Sequence, residues 1–516
     1  MSGTGRLTAS ASNATGPENA ASAARSLAQG SNAIVWRRLV VDTETPVAMA
    51  LRLMEEGRGD FLLESVEGGE RMGRYSLIGL DPDLVFRADD KGCAINRQWQ
   101  HDREAFEAQQ GNSLDALRKL AANCLIPDLP AELPEALACL VGYFGYETIG
   151  LVEKLPRAPA SPLDLPDMLF VRPTLLLVFD RLSDALFVLA PLWADGSDPA
   201  AAIERAGERI DSAVRRLAAP LPARTRAADL PEMALNPVLP EGRYKQMVGV
   251  AQDYIEAGDI FQVVLAQRFT CPFPLPPSDL YRALRRVNPS PFLYFLDLPG
   301  FALIGSSPEI LVRVREGEVT IRPIAGTRPR GQTPEEDREN ERSLLADAKE
   351  CAEHLMLLDL GRNDVGRVAA PGTVTVTDSF TIERYSHVMH IVSNVVGQLG
   401  TDHDALDALF AGFPAGTVSG APKIRACEII AELEPEARGA YAGGVGYFAP
   451  DGSVDSCIVL RTAVVKDGTM HVQAGAGIVA DSVPDYEQRE CEAKAGALIA
   501  AAREAARVAQ EPGFGQ

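Results

Sequence analysis

Apolar positions along this chain change their spacing from one region to the next. From Ile34 to about Leu217, short apolar runs such as DMLFVRPTLLLVF and ALFVLAPLW alternate with turn residues, which predicts strands with a few helices between them. A Pro-rich passage, APLPARTRAADLPEMALNPVLP, reads as a linker over about residues 218–240. Beyond Glu241 the pattern predicts a helix over YKQMVGVAQDYIEAGD and a strand over IFQVVLAQRF. Strands around FALIGSS and VTIRPI follow, then longer helices, one of them the acidic ENERSLLADAKECAEHLMLLDLGRND, and strands again near the end. Residues 1–32, rich in Ala, Ser, Gly, Asn and Thr, read as a disordered tail, and 509–516 as a second short tail. A transit peptide is the rival reading of the first segment; it has Arg6 and Arg25 in its favour but no amphipathic pattern. The periods together predict a mixed α/β protein without internal repeats, with an N-terminal region over 33–217 and a second region over 241–508.

Composition narrows the partners. A chain of 516 residues, 46% hydrophobic and 23% charged, is long enough for more than one core. Its net charge of -21 argues against nucleic acid and against an anionic membrane surface. The most apolar run, TLLLVF, is too short to span a bilayer, and no signal-peptide core is present. Eight scattered cysteines without a CxxC pair fit reduced thiols in a cytoplasmic protein and imply no zinc site.

Candidate chemistry begins with RPIAGTRPRG, Arg322 to Gly331, where three arginines stand together without an acid. Such a segment is read as an anion holder, because a guanidinium meets a planar carboxylate through two parallel donors. Two ExxE spacings fall on separate predicted helices, Glu350 with Glu353 and Glu487 with Glu490. Positions three apart share one helix face, so each pair projects two carboxylates in one direction; four converging oxygens suit magnesium, whereas either pair alone also fits a solvated acidic face. QAGAGIV offers backbone N–H groups at Gly475, Ala476 and Gly477, or is a plain strand turn. FPAGTVSGAPK, with Thr417, Ser419 and Lys423, reads as a loop before a helix or as a capped helix start. Arg461 in CIVLRTAVV reads as a buried arginine in an apolar strand, needing a counter-charge that a bound carboxylate supplies.

GSSPEIL, RPIAGTRPRG, the acidic helix, YSHVMH, FPAGTVSGAPKIRA, YAGGVGYF, QAGAG and DYEQRECEAKA occur in that order. The series resembles the chorismate-utilising enzymes, most closely the anthranilate synthase large subunits, over roughly residues 33–508. The resemblance implies an α+β architecture of two lobes built on large antiparallel sheets flanked by helices. It implies a Mg-dependent lyase that converts chorismate and ammonia to anthranilate and pyruvate, the first committed step of tryptophan biosynthesis. Carried over residue by residue, Glu353 and Glu490 are direct metal ligands with Glu350 and Glu487 in support. Glu309 is the general acid at the leaving hydroxyl, and His390 serves the elimination step, with His387 the second choice. Gly326 and Thr327 touch the substrate through an amide and a hydroxyl, and Tyr441 and Arg461 also bind it.

Gln262 stands where water-using relatives carry a lysine base, and Ala325 where aminodeoxychorismate synthases usually carry a lysine in PIKGT. Both departures oppose those rivals and favour anthranilate. LLES, with Ser65, and NPSPFLYF, with Pro291, Phe292 and Leu293, match the family's tryptophan-binding segments, although relatives often have Tyr and Met where Phe292 and Leu293 stand. A glutaminase domain would need roughly 190 further residues and a nucleophilic Cys in a Gly-flanked elbow. The resemblance therefore implies a separate glutamine amidotransferase subunit as the source of ammonia. A non-catalytic tryptophan-sensing subunit is the rival of a different class; it would have little reason to keep both ExxE pairs with Glu309 and His390.

Overall fold

The computed structural model describes residues 17–65, 73–156, 161–222, 229–385 and 388–511. Among them, 22 strands form one hydrogen-bonded network in which the ladders are antiparallel. Its backbone is the long pair Tyr75–Asp89 and Met168–Asp180, extended by Ala185–Leu192. These last two strands are apolar almost throughout because both of their faces are covered. Leu175, Leu177 and Phe179 join one core cluster, and Leu176 and Val178, pointing the other way, join a second.

The expected N-terminal and C-terminal regions share this network. Asp60–Glu64 pairs with Phe292–Leu298, and Leu140–Phe144 pairs with Gly444–Phe448, so each region completes a sheet of the other. No helix among the described residues is long and apolar enough to cross a membrane, and all eight cysteines are free thiols.

Three sequence expectations are corrected. Within the expected 1–32 tail, residues 17–32 are structured: helix Ala20–Ala28 buries Ala23 against helix Pro199–Leu217, and Asn19 Nδ2 donates to Ile34 O at 3.0 Å. Alanine-rich composition looked too poor to order itself, but a partner helix far along the chain supplies the surface it packs on. Residues 1–16 lie outside the described residues. The expected linker is packed over its second half, where Met233 is buried beside Cys271 and Asn236–Pro237 pairs with Phe269 and Thr270. The acidic helix is two helices, Pro334–Ala346 and Ala348–Gly366. Asp347 breaks them with ψ 109° and caps the second, accepting from the N–H groups of Lys349 and Glu350 at 3.0 and 3.2 Å.

Candidate active site

Glu309 occupies the two-residue corner between strands Phe301–Ser307 and Ile310–Arg315. Its side chain is buried, and Thr417 donates its hydroxyl to Oε1 at 2.9 Å. Burial pushes the carboxyl up to about 8, more than the Thr417 bond brings it down. A carboxylic acid that stays protonated at neutral pH is thereby set on a fixed hydrogen-bond partner.

His390, in strand Val388–Gln398, stands opposite Thr327 of strand Ile324–Pro329. Between Ala325 and Thr327 the register slips by one residue, and Gly326 fills the bulge with φ +69°. A Cβ there would sit 3.1–3.3 Å from Leu344, Glu350 and Ile391. The bulge turns the Gly326 carbonyl toward His390 Nδ1, 2.9 Å away, with Thr327 Oγ1 at 3.0 Å. Burial, and the charge of Arg461, hold the imidazole below its ordinary pKa. The rival histidine, His387, lies outside the described residues.

The two carboxylate pairs lie on helices Ala348–Gly366 and Pro484–Gln510 and are brought toward one another. Burial raises Glu353, and the neighbouring charges of Glu350 and Glu490 raise it further, while the Gln262 Nε2 group, 3.5 Å away, and Lys494 oppose this. Glu487 is raised mainly by burial, and next to it Glu490 adds to the rise. Glu350 is bound by Arg328 at 3.1 Å, and Glu490 by Lys494 at 2.7 Å. With those internal cations in place, no three His, Cys, Asp or Glu side chains among the described residues are gathered closely enough to hold a metal ion.

The arginines of the 322–331 segment have acidic partners within the chain, which corrects the reading of that run as an open anion holder. Arg322 pairs with Glu383, Arg328 with Asp347 and Glu350, and Arg330 with Asp337. None of these acids lies inside the run, so the run by itself showed only the cationic half of each pair. Ser419 and Lys423 also have partners within the chain: Ser419 Oγ donates to Ala415 O at 2.8 Å, and Lys423 Nζ to Asp364 at 2.8 Å in a buried pair.

The QAGAG run is mid-strand, within Thr469–Ile478, rather than a turn. Val264 and Ala266 of the neighbouring strand Gln262–Pro272 send their N–H groups away from it, to Ser419 O and a Glu434 carboxylate oxygen, both at 2.8 Å. Their ladder partners Gly477 and Gly475 therefore also face outward, while Ala476, opposite Leu265, has its N–H in the ladder. Of the three expected amides, that of Ala476 is taken by the ladder and that of Gly475 meets the Tyr441 hydroxyl, while that of Gly477 faces outward. A Cβ on Gly477 would meet Gln262 Nε2 at 2.4 Å, and one on Gly475 would meet the Tyr441 hydroxyl at 2.9 Å. Arg461 is half-buried and lies between strands Val454–Ile458 and Thr462–Lys466 with φ 47°, not within a strand.

Two positioning groups escaped the sequence reading. Arg438 is buried, donates to both oxygens of Glu434 and to the carbonyls of Val418 and Val264, and lies over the ring of Tyr441. That pair lies beyond the end of helix Lys423–Leu433, where helix spacing gives no signal for it. Lys494 bridges Glu490 and the carbonyl of Gly475, at 2.9 Å from the latter, and its signal was the i, i+4 spacing from Glu490.

Ser65, Pro291, Phe292 and Leu293 come together on a separate cavity of about 400 Å³, with Tyr75, Arg313 and Tyr447 also on its wall. The Leu293 side chain itself packs into the core on the opposite face of its strand from Phe292.

A sheet corner holding a carboxyl raised by burial, an imidazole lowered by burial across a bulge, and two helix-borne carboxylate pairs bring together groups suited to acid–base chemistry. The chain belongs to the chorismate binding enzyme family, whose profile matches residues 59–500. Among its relatives, anthranilate synthase component 1 of Cereibacter sphaeroides is 54% identical over 94% of this chain and 97% of its own. The Pseudomonas aeruginosa protein of that name is 48% identical over 90% and 94%. The crystal structure of anthranilate synthase component I from Streptococcus pneumoniae superposes with a TM-score of 0.74 at 34% identity, covering 90% of this chain and 99% of the other.

Proposed function

We propose that this chain is an anthranilate synthase large subunit, aminating chorismate at ring carbon 2 with ammonia and releasing the 4-hydroxyl and then pyruvate. The observation that carries the reading is Glu309, kept protonated to about pH 8 beside Thr417 and so able to protonate a departing hydroxyl. His390 supplies the complementary group. A carbonyl only accepts, so Gly326 keeps the proton on Nδ1 and leaves the Nε2 lone pair of a neutral imidazole free to take the ring proton during elimination. The outward amide of Gly477, the Tyr441 hydroxyl that the Gly475 amide holds, and Arg461 form the cradle for the substrate carboxylates.

The four helix-borne carboxylates, Glu353 and Glu487 among them raised by burial, are the hard oxygen donors magnesium takes, and drawn together they would hold the ion through Glu353 and Glu490 with Glu350 and Glu487 behind them. When bound, it would neutralise and orient the ring carboxylate. Lys494 and Arg328 would then give up part of their hold on Glu490 and Glu350. A glutamine amidotransferase subunit would deliver the ammonia, and L-tryptophan in the 400 Å³ cavity would act as feedback inhibitor.

Purified chain given chorismate, magnesium and an ammonium salt should form anthranilate, read by fluorescence and chromatography, but should not use glutamine. Aminodeoxychorismate as the main product, or glutamine-dependent turnover without a second protein, would overturn the assignment.

A further inference from the structure

The cavity that holds Ser65, Pro291 and Phe292 and the corner that holds Glu309 share a wall. Phe292 stands opposite Ser307 in the ladder, and Ser290, one residue before Pro291, donates its Oγ to Ser307 O at 2.5 Å. Ser307 Oγ in turn donates to Ile458 O at 2.6 Å, and Ile458 returns its N–H to Glu309 O at 3.1 Å. Ser456 and Cys457, immediately before Ile458, line the same cavity. A second tie lies alongside: Ser306 donates its N–H to Arg461 O at 3.2 Å, and its Oγ donates to Asn288 O at 2.5 Å. Ser290, Ser306 and Ser307 are all 2% exposed or less, so water does not take over a broken bond freely.

We propose that Ser307 and Ser290 are positioning residues, buried hydroxyls through which a molecule filling the cavity at Phe292 sets the placement of Glu309 and Arg461 in the active site. This rests on the reading of that cavity as a tryptophan site. A ring entering against Phe292 presses on residues 291–292 on one wall and 456–457 on the other. Each segment is hydrogen-bonded, within one or two residues, to the main chain of the Glu309 corner. A close-packed interior passes such a displacement on rather than absorbing it. Neither hydroxyl bonds the Glu309 carboxylate, whose partner is Thr417; what they hold is the backbone that carries it.

The test compares wild type, Ser307→Ala and Ser290→Ala as full chains with chorismate and ammonium salt. Tryptophan affinity is read by calorimetry, and kcat and KM with and without saturating tryptophan. Both variants should bind tryptophan within about three-fold of wild type, while the loss of kcat/KM that tryptophan causes shrinks by about five-fold or more, the scale of an ordinary coupling. The alkaline limb of the kcat profile should also move in Ser307→Ala, which a merely stabilising hydroxyl would leave in place. Undiminished coupling in both variants, with an inhibited wild type, overturns the relay and leaves the cavity reading intact. A wild type that neither binds nor responds to tryptophan overturns the cavity reading itself, and the coupling role falls with it. If Ser307→Ala folds poorly, Ser290→Ala, which loses the one bond from the residues before strand Phe292–Leu298 to Ser307 O, decides the matter alone.

Discussion

The carbonyl oxygen of Gly326 and Nδ1 of His390 lie 2.9 Å apart across a one-residue bulge, and this contact fixes which imidazole nitrogen is the base. His390→Met keeps bulk but removes the basic ring nitrogen. Its first, aminating step should fall little, while aromatisation falls by on the order of 10²-fold or more, so that an aminated, non-aromatic intermediate accumulates on chromatography. Equal loss of both steps would assign His390 to substrate binding.

The pH profile should be bell-shaped with unusual limits. Glu309 acts protonated and is raised to about 8, so kcat should fall as pH rises through about 8. His390 acts neutral and is lowered, so the acid limb should lie below 6.5. Glu309→Gln should lower kcat by on the order of 10³-fold and abolish the alkaline limb of what remains. An alkaline limb unchanged in that variant would remove Glu309 from the role of acid.

Metal dependence should reside in the helix-borne carboxylates. Glu353→Gln and Glu490→Gln should each raise the magnesium concentration needed for half-maximal rate by about ten-fold or more, since an amide is the poorer ligand, while the thermal midpoint stays near that of wild type. A magnesium titration of turnover decides it, and unaltered curves in both variants would exclude these residues as ligands.

Ser65→Arg should relieve tryptophan inhibition while sparing turnover, because a long cationic side chain would occupy the cavity and leave the carboxylates untouched. Rates measured at equal chorismate while tryptophan is titrated should fall for wild type and stay nearly flat for the variant. Parallel curves would place the inhibitor elsewhere.

Stability should weaken in acid through His354. It is fully buried, held by burial at about 4 against 6.5 for the free side chain, and its Nε2 lies 2.6 Å from Ser393 Oγ. The unfolded chain therefore takes up a proton below 6.5 that the folded chain refuses until about 4. The stabilisation is complete above 6.5 and is lost as pH falls through that window. Urea midpoints between pH 7 and 4 should fall less steeply for His354→Gln than for wild type, whatever its starting stability; identical slopes would refute the assignment.

Much of the chemistry was already legible one residue at a time. Periodicity located the strands that became Met168–Asp180, Ala185–Leu192 and Gln262–Pro272, because apolar spacing is a local property. The three-residue spacing of each glutamate pair likewise sufficed to put two carboxylates on one helix face. What the sequence could not decide was pairing between distant segments. It could not tell that Arg322, Arg328 and Arg330 meet the chain's own acids, or that Ala476 gives its N–H to a ladder while Gly475 and Gly477 do not. Nor could it tell that an alanine-rich helix at 20–28 finds a partner near residue 200. Only the tertiary structure fixes such matters, because burial, ladder register and the nearest counter-charge are set by residues far away in the chain. The raised pKa of Glu309 belongs with them: the residue type offers a carboxyl, and the surrounding core decides that it remains an acid.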